Sequence, residues 1–159
     1  MNLEKLKKEN LWHRKKSNSQ RRDDLIRVGE EGINTGDESV LDPYFADDYI
    51  FHGPDGDMNF TQLKAFWSVW RSAFSGFRIR REQIMVEGNF IGARNTFSGV
   101  FDKEMTHSPI GPIQPNGKTV HIEVINTFRY DDDGRLAEEW VQYDNVGYLK
   151  QLGVEVLKH

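Results

Sequence analysis

The spacing of apolar positions changes along this chain from about four residues to two and back, and that change predicts its elements. From about Ser19, Leu25, Ile26, Val28 and Ile33 mark an amphipathic helix that stops at Gly36. A short second helix is expected over Glu38 to Phe45, interrupted by Pro43. A strand follows from Tyr49 to His52, and HGPDGD (His52 to Asp57) reads as a turn. Asn59 with Gln62 three residues later is a capping-box pattern. It opens a helix whose Phe60, Leu63, Phe66, Trp67, Trp70 and Phe74 share one broad face. At roughly 1.5–3 kcal/mol per large buried side chain, that face contributes on the order of 10 kcal/mol, an upper estimate. Such a helix requires a large apolar partner.

The partner is a sheet. Phe77 to Glu87 alternates, but its phase slips between Arg80 and Ile84, as a bulge would cause. Gly88-Asn89 predicts a tight hairpin into a strand from Phe90 to about Phe101. Asp102 to Asn116, with three prolines, predicts a long loop of the kind that forms lids or edges. Gly117 to Tyr130 and Arg135 to Asp144 form another hairpin around Asp131-Asp132-Asp133-Gly134. A short helix, Asn145 to Leu152, ends at Gly153. Helices first and long antiparallel strands afterwards is the α+β order.

One strand carries an anomaly. Ile122, Val124, Asn126, Phe128 and Tyr130 share a face, so Asn126 is a lone amide on apolar ground. An unpartnered buried amide costs about 1–3 kcal/mol, so either the protein or a ligand must satisfy it.

Composition narrows the chemistry. In 159 residues there is room for one domain with a real core and no need of disulfides. The absence of cysteine excludes thiol nucleophiles and cysteine metal sites. Aromatic residues make up 12% of the chain, enough to line a pocket as well as fill a core. Met1 to Arg22 holds eight basic against two acidic residues, leaving 13 basic against 23 acidic in Asp23 to His159. The chain is therefore divided into a basic, partly ordered extension (1–22) and one acidic domain (23–159). An acidic body argues against nucleic-acid binding. No apolar run is long enough to span a bilayer, so no membrane association and a cytoplasmic location are expected. Histidines without ligand spacing, and no Gly-rich phosphate loop or nucleophile elbow, give no metal, nucleotide or serine-hydrolase signature.

Five segments in order carry a family resemblance. They are YFADDYIFHGP (Tyr44 to Pro54), LKAFWSVWRSAF (Leu63 to Phe74), PNGKTV (Pro115 to Val120), INTFRYDDDGRLAEEW (Ile125 to Trp140) and YDNVGYLKQLG (Tyr143 to Gly153). The chain thereby resembles the SnoaL-like polyketide cyclases, or ester cyclases, of the NTF2-like superfamily. That resemblance implies a cone-shaped α+β barrel, with a curved antiparallel sheet of four long strands plus a short one wrapped around N-terminal helices. It also implies a deep apolar pocket and a homodimer formed through the outer sheet face. The cyclases close a ring by intramolecular aldol condensation without cofactor or metal, an aspartate in a D-x-F-R pattern removing a proton beside a carbonyl. The matching position in Asn126-Thr127-Phe128-Arg129 is Asn126.

A neutral amide cannot be a general base near pH 7, although it can donate a hydrogen bond to a carbonyl or enolate oxygen. His52, with an accessible pKa and a place beside the expected pocket mouth, is the leading substitute base; solvent exposure or a structural role is its plain alternative. Asp144 is explained by a helix N-cap, and the resemblance also places it at the pocket edge. Trp67, Trp70, Phe74 and Phe128 are expected along the pocket wall. On the last strand Trp140, Gln142 and Asp144 alternate with Val141 and Tyr143. The first set is expected inward, with Tyr143 the reserve. The expected ligand is a small hydrophobic or aromatic carbonyl compound. It is either turned over by a cofactor-independent cyclase or isomerase, or held by a non-catalytic binding protein.

Overall fold

A computed structural model describes residues 15–156; the leucines of the basic arm, Leu3, Leu6 and Leu11, lie outside the described residues. The first helix, α1 (Asn18–Arg27), begins at Ser17. The Ser17 hydroxyl accepts from the Gln20 amide while the Gln20 side chain accepts from the Ser17 amide. It therefore starts inside the basic segment. Arg21 lies over the Tyr130 ring at 5.1 Å from its centroid, a cation–π contact that ties this segment to the sheet. The helix continues into one π-helical turn, Val28–Ile33, and the chain then forms α2 (Glu38–Leu41).

The strands are β1 (Phe45–Gly53), β2 (Gly56–Asn59), β3 (Phe74–Glu87), β4 (Phe90–Phe101), β5 (Thr119–Tyr130) and β6 (Leu136–Tyr143). Helix α3 (Phe60–Ala73) precedes β3, and α4 (Asn145–Gln151) follows β6. The order across the single sheet is β2-β1-β6-β5-β4-β3, and its two edges do not pair. Neighbours run antiparallel except β1 and β6, which are parallel. The segment expected to be only a turn holds a second short strand: Gly53 pairs with Gly56 across Pro54-Asp55, making β2 an edge. The sheet thus has two strands beyond the four long ones rather than one.

Local expectations around the sheet hold in detail. Asn59 and Gln62 cap α3 reciprocally. The register of β3 on β4 shifts between Arg81 and Gln83, where the hydrophobic phase slips. Gly88 turns the hairpin with φ 55°, a left-handed conformation that glycine adopts without strain. Helix α3 buries Leu63, Trp67, Trp70 and Ala73, with Trp70 packed on Phe66, Phe77, Phe97 and Tyr148. One face of the sheet therefore closes on α1 and α3. The other carries the exposed side chains of Ile50, Met85, Ile125 and Trp140.

Candidate functional site

Between that inner face and the helices lies a chamber of about 640 Å³, lined mostly by apolar side chains. The long loop forms part of its wall. A lone bridge between Met105 and Ile113 folds the loop back, so that His107, Pro109 and Ile110 border the chamber with the β1–β2 turn.

A polar line crosses this apolar floor, one residue per strand. Each occupies a phase otherwise filled by apolar residues: Arg81 follows Phe77 and Ile79 on β3, Asn95 lies between Ala93 and Phe97 on β4, and Asn126 between Val124 and Phe128 on β5. On β6 it is Glu139, next to Val141. Sheet register places Arg81 opposite Asn95 and Glu139 opposite Phe128. Hydrogen bonds then link all of the line but Arg81. Asn95 Nδ2 donates to Asn126 Oδ1 at 2.7 Å, Asn126 Nδ2 donates to Glu139 Oε1, and Tyr49 Oη donates to Glu139 Oε2 at 2.6 Å.

The protein thus satisfies Asn126, and it does so with a carboxyl group. Glu139 is 7% exposed, and burial pushes its pKa up against the opposing pull of the Tyr49 hydrogen bond, the Arg81 charge and the Asn126 amide. Burial and the neighbouring Glu139 raise the Tyr49 phenol well above its ordinary range, so Tyr49 stays a donor. Burial lowers the Arg81 pKa, but a guanidinium remains charged. Two polar atoms on this line, Arg81 Nε and Asn95 Oδ1, are buried without a partner.

Several expected site residues stand elsewhere. His52 is on the outer sheet face, stacked on Trp140 at 5.4 Å, with Nδ1 on Asp57 at 2.8 Å and Nε2 on Glu138 at 2.9 Å. It does not border the chamber. Trp140 and Gln142 also face outward, and Val141 and Tyr143 line the chamber instead. The inward set on β6 is therefore the reverse of the expected one. The cause is local: Leu136 and Ala137 are both buried, so the alternation changes phase as the strand begins. Asp144 is exposed and caps α4, accepting from the Gly147 amide at 2.8 Å. Phe74 is buried in the core away from the chamber. Trp67, Trp70, Phe128 and Asn126 do border it.

Arg81, Asn95, Glu139 and Tyr49 were not singled out by the sequence. The signal for the first three was the one that exposed Asn126, a polar residue in phase with an apolar face. Among the described residues no group of three or more His, Asp or Glu side chains could hold a metal ion, and no helix is long and apolar enough to cross a membrane.

The outer cluster has its own pH signature. Its carboxylates, Glu138 first, raise the His52 pKa above the ordinary value of about 6.5, and His52 lowers that of Glu138. A raised histidine contributes stability that is fully present below about pH 6.5 and lost as pH climbs through the higher folded-state value. The Glu138 contribution is lost at the acid end, as pH falls through its depressed value. His52→Ala should therefore cost most stability, read by thermal unfolding, below about pH 6.5 and least at alkaline pH, by no more than about 1 kcal/mol at this solvent-screened site. A pH-independent loss would contradict the ion-pair assignment.

An open curved sheet closing an apolar chamber against N-terminal helices defines the NTF2-like, or ketosteroid isomerase-like, class of α+β protein. Solved structures agree on the fold. A Catenulispora acidiphila protein with a ketosteroid isomerase-like fold superposes with TM-score 0.62 at 11% identity, covering 87% of this chain and 96% of its own. IdmH of Streptomyces antibioticus, a proposed polyketide cyclase, gives TM-score 0.68 at 24% identity over 85% of this chain and 99% of its own. AclR of Streptomyces galilaeus, a proposed hydroxylase, gives 0.70 at 19% identity over 86% and 98%. No curated protein matches the chain. Residues 23–152 match the sequence profile of the SnoaL-like polyketide cyclases, and the chain belongs to that family.

Proposed function

We propose that the chamber binds a small hydrophobic carbonyl compound and that Glu139 moves a proton at the carbon beside its carbonyl, as a cofactor-independent cyclase or isomerase requires. One observation carries this reading. The chamber contains a buried carboxyl group whose pKa is raised and whose two oxygens are held by Tyr49 and Asn126. A carboxylate with raised pKa is a better proton acceptor near neutrality than an ordinary one. Asn126, at the position where the family's aspartate is expected, cannot take the proton but orients the group that can. In the proposed step the C–H bond breaks, its proton passes to Glu139, and the electron pair moves onto the carbonyl oxygen as an enolate. Return of that proton to another carbon gives isomerisation; attack of the enolate carbon on a second carbonyl forms the ring bond and an alkoxide, which takes the proton back and restores the carboxylate.

The test uses an aromatic ketone such as 2-tetralone in D2O. Purified protein should accelerate deuterium uptake beside the carbonyl, with saturation in ketone. A ketone that quenches the fluorescence of Trp67 and Trp70, yet exchanges no faster than in buffer, would leave a binding protein and overturn the catalytic reading.

The proposed assembly is a homodimer through the outer sheet face, where Ile50, Met85, Ile125 and Trp140 remain exposed. Trp140→Glu is expected to weaken association on the order of 30-fold, as for an interface anchor. Sedimentation velocity over a dilution series reads this directly. A wild-type protein that is monomeric at all concentrations would refute the assembly.

A further inference from the structure

We propose that Arg81 anchors a permanently anionic group, a carboxylate, on the ligand of this chamber; this rests on the chamber being a small-molecule site. The alternation Phe77, Ile79, Arg81 turns the side chain inward, and the register shift after Arg81 returns Ile84 and Val86 to the same side. Its guanidinium lies over the Phe128 ring, 5.5 Å from the centroid, and borders the chamber. Its Nε is buried without a hydrogen-bond partner. No ion pair among the described residues includes it.

A cation removed from water without a direct counter-charge is costly, and structures avoid it unless something else supplies the charge. Glu139 supplies only its field. Its two oxygens are engaged by Tyr49 and Asn126, so neither pairs directly with the guanidinium. The remaining neighbours that act on Arg81, Tyr44 and Tyr130, are phenols whose pKa values burial raises, so they carry no charge to offer. The terminal N–H groups of the planar guanidinium, which make no hydrogen bond among the described residues, match a carboxylate better than a neutral carbonyl, because two parallel hydrogen bonds form at once. The aromatic ring of the ligand is then left to Trp67, Trp70 and Phe128. The enolate of the proposed reaction is a transient charge, whereas a ligand that arrives charged pairs with the guanidinium for as long as it is bound.

Two probes of one shape separate these cases: 2-naphthoate and its uncharged methyl ester, titrated by tryptophan fluorescence and calorimetry. Wild-type protein should prefer the carboxylate by about tenfold or more, the range for a charge-assisted hydrogen bond. Arg81→Gln should remove that preference while ester affinity changes less than about threefold, and Arg81→Lys should retain part of it. Ester binding by the Gln variant also reports that its chamber is intact. Equal wild-type affinity for the two probes overturns the anchor, whether or not any variant folds, and leaves the chamber reading in place. A Gln variant that keeps the carboxylate preference overturns it too. Failure of both probes to bind wild-type protein overturns the anchor and the aromatic chamber together.

Discussion

Glu139→Gln is expected to slow deuterium uptake into 2-tetralone by about 10²- to 10⁴-fold, the usual worth of a general base, with ketone affinity changed little. The substitution is close to isosteric. The Gln carbonyl can still accept from Asn126 Nδ2, and its amide can donate to Tyr49 Oη, so the network of Tyr49, residue 139, Asn126 and Asn95 keeps its connectivity. Proton affinity is what disappears. The wild-type rate should rise with pH through the folded-state pKa of Glu139, which burial holds above the ordinary carboxylate value of about 4.3. An unperturbed carboxylate would already be flat above pH 5.5. The same raised pKa makes the folded state bind more protons than the unfolded state above about pH 4.3. Wild-type protein should therefore lose stability as pH climbs through that window, and the Gln variant should not. Exchange by the variant within about threefold of wild type would remove Glu139 from the mechanism.

The same residue shows how far the sequence carried and where it stopped. Period-two alternation on β5 placed Asn126 on the buried face, because that strand keeps one phase from Val120 to Tyr130. On β6 the two buried residues Leu136 and Ala137 break the phase at the strand's start, so counting from Leu136 sends Trp140 inward when it faces out. Glu139 was hidden by that slip. It also stands in an acidic Glu138-Glu139 pair that reads like a solvated surface. Arg81 was obscured in the same way by Arg78, Arg80 and Glu82, which surround it and are exposed. A strand end beside a turn suggests a pocket mouth at His52, but side chains there alternate too. Phe51 faces the chamber and His52 faces away. Whole-fold order was legible because α3 and the four long strands carry strong periodicity. Strand β2, with Gly56 and Asp57 in an edge hairpin, has none to read.

Phe74→Ala is expected to cost about 3–5 kcal/mol of stability, the range for deleting a buried aromatic ring. Phe74 caps the C-terminal end of α3 and begins β3, so its ring joins the helix to the sheet at the point where the chain changes direction. It is 1% exposed and packs edge-on against Phe97 at 5.3 Å and tilted against Phe101 at 5.2 Å. Gly99 makes that approach possible: a Cβ there would stand 2.8 Å from the Phe74 Cβ. Surrounding side chains belong to the continuous strands β3 and β4, which leaves little freedom to collapse into the void. For a chain of this size the loss corresponds to a Tm decrease on the order of 10 °C. Because Phe74 does not border the chamber, the folded variant should bind 2-tetralone with nearly wild-type affinity at low temperature. That pairing separates a core aromatic from a ligand contact. Reduced affinity with unchanged Tm would return Phe74 to the pocket wall, and reduced Tm with unchanged affinity fixes it as the rivet between α3 and the sheet.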